Sequence, residues 1–183
     1  MWCKAQVREE MPMKKLLSML LLCLFCGMLM GCGKKSLEPI RVENEAFAIT
    51  LEEFEQRYNK LNDEDIDLEN GEWDDYEDDE FRTFWLDRDG SYPITISVSK
   101  ENDNLKGVAV GISYDNGGDL EEFPEICFPY IYAFCGDEEE ANRILDELDI
   151  PGQEFNWIST DEGSYVLNTV AEEVIGINIT WNS

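Results

Sequence analysis

The chain has 183 residues, and its 41 acidic and 14 basic residues give a formal net charge of −27 at pH 7. This charge argues against nucleic acid as a partner and against docking on anionic lipid headgroups. The sequence contains no histidine, which excludes Ser-His-Asp and Cys-His nucleophilic sites and zinc sites built on imidazole.

The N-terminal part contains an apolar run, Leu16–Met30, that directly follows Lys14 and Lys15. The run is short for crossing a hydrocarbon core, and it matches the apolar region of a secretory signal peptide. It closes on the tetrapeptide Leu29-Met30-Gly31-Cys32. Residues 13–31 therefore predict export of the chain.

This segment resembles the signal peptide and lipobox of bacterial lipoprotein precursors. The resemblance implies cleavage before Cys32 and diacylation of its thiol by palmitate-type chains. Two acyl chains are sufficient for stable membrane anchoring, so the protein would face the extracytoplasmic side of the cell membrane. An uncleaved N-terminal anchor is the alternative.

The remaining segments follow from composition. Residues 1–12 contain Glu9 and Glu10, which a basic signal-peptide start disfavours, and we hypothesise that translation starts at Met13. Residues 32–45 hold the acylated cysteine and a stretch with little apolar content, which predicts a tether. Residues 46–183 suffice for a single domain with its own core.

The first predicted helix covers residues 51–61. Thr50 followed by Glu53 forms a capping box, and Ile49 with Phe54 forms a hydrophobic staple. Apolar residues then recur at helical spacing, which indicates one buried face.

Residues 62–80, the acidic segment, are dense in Asp and Glu. Self-repulsion predicts that this segment is extended or mobile. Trp73 and Tyr76 are its only large aromatic residues and lack an obvious core role. With Asp74 and Asp75 they form our predicted contact site for a basic, partly apolar protein or peptide.

A calcium site in the acidic segment is less well supported. Asp63, Asp65 and Asp67 occupy loop positions 1, 3 and 5 of an EF-hand pattern, but position 6 is Leu68 and position 12 is Asp74. The pattern calls for Gly and Glu there. We expect weak calcium binding at most and no defined metal site.

Alternating apolar residues predict strands at 81–87, 94–99, 108–114, 165–171 and 174–181, with the last two forming a hairpin. Residues 123–135 are apolar nearly all round and end at Gly136, which predicts a buried helix that Pro129 kinks or restarts. Asp137 caps a further helix.

Cys127 and Cys135 are expected to be buried free thiols rather than a disulfide, because a helix would hold them too far apart.

This element order predicts an α+β fold with an antiparallel sheet of about five strands and two to three helices on one face. Two runs of strands separated by helices favour it over a parallel arrangement.

The sequence predicts no enzyme and no cofactor. Ser97-Val98-Ser99-Lys100 matches the Ser-x-x-Lys pattern of penicillin-binding proteins, but a strand points residues three apart to opposite faces. We predict a non-enzymatic binding domain; the alternatives are an envelope module for sugars, peptides or calcium and, third, a hydrolase using paired carboxylates. Trp157 and Trp181 are among the aromatics that could stack on sugars, although core packing is the favoured role.

Overall fold

The computed structural model describes residues 35–75, 79–150, 152, 155–161, 163–170 and 174–181. The lipobox, residues 1–34 and Tyr76 lie outside the described residues. The helices are α1 (Leu51–Leu61), α2 (Phe123–Cys135) and α3 (Glu138–Leu148). The strands are β1 (Val42–Glu43), β2 (Ala46–Phe47), β3 (Glu72–Asp74), β4 (Phe81–Leu86), β5 (Ile94–Ser99), β6 (Leu105–Ser113), β7 (Phe155–Ser159), β8 (Gly163–Val170) and β9 (Val174–Trp181).

The main sheet is antiparallel and has seven strands in the order β3-β4-β5-β6-β9-β8-β7. It joins two meanders, because β6 closes the first and pairs with β9 of the second. Helices α2 and α3 form the connection between the meanders. The α+β class is confirmed. The strand count is higher than predicted, because the sheet gains an edge strand at each side, β3 and β7.

One face of the sheet forms the core. Ile96, Val108, Ile179 and Tyr165 lie side by side on four neighbouring strands, and all four are buried. The buried sides of the three helices belong to the same hydrophobic cluster. The helices therefore cover this face, as predicted. Helix α2 runs through Pro129 without interruption.

The segment before β1 packs on the domain instead of forming a free tether. The Leu37 N–H donates to the Gly136 carbonyl at 2.8 Å, and the Ile40 N–H donates to the Phe134 carbonyl at 3.1 Å. Ile40 is 5% exposed. These bonds satisfy carbonyls at the C-terminus of α2 that have no partner within the helix. Residues 37 and 40 of the predicted tether are therefore held against the C-terminal end of α2.

The predicted capping box is present at the start of α1. The Thr50 hydroxyl accepts from the Glu53 N–H at 3.3 Å, and the Thr50 N–H donates to the Glu53 carboxylate at 2.9 Å. We expect Thr50→Ala to lower the free energy of unfolding by about 1 kcal/mol, measured by urea denaturation. Thr50→Ser keeps the hydroxyl and should retain most of the stability. An equal loss in both variants would contradict the capping role.

Two tyrosines between α1 and α2 should make the domain alkali-sensitive. The rings of Tyr58 and Tyr130 are 5.2 Å apart. Burial raises the pKa of Tyr58 from 10.0 to about 12 and raises the pKa of Tyr130 further. Burial also raises the pKa of Cys135 from 9.0 to about 11.

Because these folded-state pKa values are raised, the unfolded chain loses its protons first as the pH increases. Stability is therefore fully present below about pH 9 and falls as the pH rises toward 12. Urea titrations across this range should show the decline. Tyr58→Phe should make it shallower, whereas Tyr114→Phe, at an exposed site, should not. A profile that Tyr58→Phe leaves unchanged would refute this explanation.

Candidate functional site

The predicted contact site lies at the β3 edge of the sheet. Trp73 is 42% exposed, and its ring packs on Phe84 with the ring centroids 4.9 Å apart. The Arg82 guanidinium lies 4.2 Å from the centroid of the same ring. Part of the Trp73 ring therefore packs within the domain, and only the rest of the ring is accessible to a partner.

The carboxylates beside Trp73 already have cationic partners. Asp74 accepts from the Trp85 Nε1 at 2.9 Å and pairs with Arg88 at 2.9 Å. Asp75 pairs with Lys100 at 2.6 Å. Asp74 and Asp75 are therefore less available to a basic partner than the sequence suggested.

The predicted calcium ligands serve local contacts. Asp67 accepts from the Glu69 N–H at 2.9 Å and from the Asn70 side chain at 2.6 Å, which closes a turn. Asp63 lies 3.6 Å from Lys35. Within the described part of the chain, no group of three or more Asp, Glu, Cys or His side chains is placed to hold a metal ion.

A second candidate site is a groove of about 570 Å³ between α2 and α3, called the α2–α3 groove below. Its apolar lining comes from Pro124 and Phe128 of α2, Leu145 of α3 and Ile150 just beyond α3. Phe128 and Leu145 are half-buried, so each presents part of its side chain to the open groove.

Local sequence explains how the two helices come to flank the groove. Gly136 ends α2 with φ 75°, and a Cβ there would lie 2.1 Å from the Leu37 carbonyl oxygen. Only glycine therefore fits this tight turn. The Asp137 side chain then accepts from the Glu140 N–H at 3.0 Å and starts α3. This short connection makes α2 and α3 neighbours.

The rim of the groove is acidic. Glu125, Glu138, Asp146 and Asp149 line it, and no Lys or Arg is among the described residues of its lining. Glu125 and Asp146 are exposed. A low-dielectric floor beside clustered carboxylates strengthens the field that a cation meets there.

The arginine of α3 does not offset this charge, because it pairs along its own helix. Arg143 pairs with Glu140 at 2.6 Å and with Glu147 at 2.5 Å. Hydrogen bonds to these two carboxylates raise the pKa of Arg143. Neither of these carboxylates is among the described residues that line the groove, so the ion pairs of Arg143 lie outside it.

Sequence reasoning missed the α2–α3 groove. Residues 123–135 read as apolar nearly all round, so nothing singled out Phe128 as partly solvent-facing. On α3, Leu145 packs against the core beside the fully buried Ile144 but stays half-buried, so part of it remains open to the groove. The sequence feature that could have indicated the groove is the presence of Glu125, Asp146 and Asp149 close to these apolar residues.

Other proteins provide no guide to this site. No family model, no curated protein and no solved structure matches the chain.

Among the described residues, no helix has the length and apolar character needed to span a membrane. Ser97 lies in β5 with Lys100 just past its end, so the Ser-x-x-Lys match is not on a helix.

Proposed function

We propose that this protein is a lipid-anchored, non-enzymatic binding protein on the extracytoplasmic side of the cell membrane, and that its α2–α3 groove captures a basic amphipathic peptide segment. The observation that carries the binding proposal is the groove itself, an apolar floor with the exposed carboxylates of Glu125 and Asp146 at its rim. The sequence of residues 13–32 supports the anchoring.

The groove suits a partner that offers both apolar and cationic side chains. Leucine-like side chains of the partner would enter between Phe128 and Leu145, where they lose contact with water. Lysines or arginines flanking them would reach Glu125 and Asp146 at the rim. An amphipathic helix presents this combination along one side, and docking of such a helix in an apolar groove is a recurrent mode of recognition.

The direct test uses two labelled 14-residue peptides with the same amphipathic pattern, one built from Leu and Lys and the other from Leu and Glu. Fluorescence anisotropy should show saturable binding of the Leu/Lys peptide only. Added salt should weaken this binding, because exposed charges are screened over roughly 8 Å at physiological ionic strength. Equal binding of both peptides, or no binding at low salt, would refute the proposal.

The anchoring is tested separately in cells. An alkyne-bearing palmitate analogue should label the protein, and Cys32→Ala should abolish both the labelling and its retention with the membrane fraction. Cys127→Ala serves as the matched control, since Cys127 is buried within α2. Labelling that survives Cys32→Ala would contradict lipidation at this residue.

A further inference from the structure

The face of the sheet opposite the helices carries two exposed aromatic residues. Phe155 and Trp157 of β7 are 60% and 61% exposed, the highest values among the large apolar side chains in the described part of the chain. Being two positions apart on one strand, they point to the same side about 7 Å from each other. Packing within the domain does not account for them.

These aromatics border a shallow pocket of about 510 Å³ on the β7, β8 and β9 strands, called the β7–β9 face below. Ser159, Ser164 and Thr180 lie side by side on the three strands and add hydroxyl groups to it. Val166 and Trp181 complete the described lining, and none of these described residues has an ionisable side chain. In a chain with 41 acidic residues, a neutral pocket contrasts with the α2–α3 groove.

Toward the middle of the sheet, this side carries small, uncharged residues. Continuing from Thr180 across the sheet, the positions in register are Gly107 on β6 and Ser97 on β5. In the adjoining row, Ala109 and Thr95 follow Asn178. These small side chains allow an extended ligand to cross several strands at about 4.8 Å per strand.

The chemistry of this face selects the ligand. A basic peptide would find no carboxylate in the pocket, and an acidic ligand would find no cation. A pyranose ring offers an apolar C–H face that stacks on an aromatic ring, and its hydroxyls exchange hydrogen bonds with Ser and Thr. We propose that the β7–β9 face is a second binding site, for a neutral linear oligosaccharide of pyranose units, and that Trp157 is its main stacking residue.

The test uses isothermal titration of the protein with four neutral hexaoses, those of cellulose, chitin, xylan and mannan. At least one should bind saturably, with an affinity that salt does not change. Trp157→Ala should weaken this binding by about tenfold or more. Trp73→Ala, which removes an exposed indole from the other edge of the sheet, should leave it unchanged. Thermal melting should show that both variants are folded, since Trp157 is 61% and Trp73 42% exposed.

Three results would overturn the proposal. The first is no saturable binding of any of the four hexaoses at millimolar concentration. The second is binding that Trp157→Ala leaves intact. The third is a concentration-dependent dimer in sedimentation that Trp157→Ala dissociates, which would assign the face to a second copy of the chain. The Leu/Lys peptide assay reports on the α2–α3 groove independently, so either site can fail while the other stands.

Discussion

Phe54→Ala is expected to lower the free energy of unfolding by about 3–5 kcal/mol, the usual cost of removing a fully buried phenylalanine ring. Phe54 is fully buried at the centre of an aromatic cluster. Its ring centroid lies 5.2 Å from that of Phe134 and 6.4 Å from that of Tyr58. Phe134 in turn packs on Phe47 at 4.6 Å.

The size of this loss follows from what the cluster joins. Phe47 belongs to β2, Phe54 to α1 and Phe134 to α2, so the cluster joins three elements and the Phe54 ring links α1 to α2. The cavity left by alanine cannot close without moving two of them. Since domains of this size are stable by only about 5–15 kcal/mol, the variant should be marginally folded.

Urea denaturation followed by circular dichroism measures this loss. Phe155→Ala is the matched control, because it removes the same ring from an exposed position and should change stability by less than about 0.5 kcal/mol. A loss below about 1 kcal/mol for Phe54→Ala would show that the cluster does not organise the core.

Neutralising the groove rim should have the largest effect on binding. We expect Glu125→Gln combined with Asp146→Asn to weaken binding of the Leu/Lys peptide about ten- to a hundredfold at low salt, because two carboxylates facing the bound lysines are removed. Both residues are exposed, so the fold should be unaffected. Anisotropy titrations at two salt concentrations measure the change.

The control variant separates a local effect from net charge. Glu69→Gln combined with Glu101→Gln removes two exposed carboxylates elsewhere on the domain and produces the same net charge. If nonspecific attraction to an acidic protein drives binding, the two double variants will weaken it equally. That outcome would contradict recognition in the α2–α3 groove.

Elements with a strong local pattern were predictable from sequence. The capping box at Thr50 places α1 correctly, and the alternation of Ile94, Ile96 and Val98 places β5. The edge strand β3 was missed, because it pairs on one side only and needs little apolar content. Thus Glu72-Trp73-Asp74 reads as part of a charged loop, although it pairs with β4.

The candidate site was harder to predict, because it depends on tertiary packing. Which flank of α2 faces solvent is decided by how α3 and the sheet cover it, and the residues of α2 are apolar on every side. The pairing of Asp74 with Arg88 and of Asp75 with Lys100 also joins residues distant in sequence. Local charge counting therefore could not anticipate these ion pairs, and it overlooked the groove.

The measurement that tests the central claim most directly is an NMR titration of the ¹⁵N-labelled chain beginning at Gly33 with the Leu/Lys peptide. Capture in the α2–α3 groove predicts that saturable amide shifts concentrate at Phe128, Leu145 and their neighbours on α2 and α3. Shifts concentrated instead at Trp73 to Asp75 would place peptide binding at the β3 edge. That result, or shifts spread evenly over the acidic surface, would contradict the proposed site.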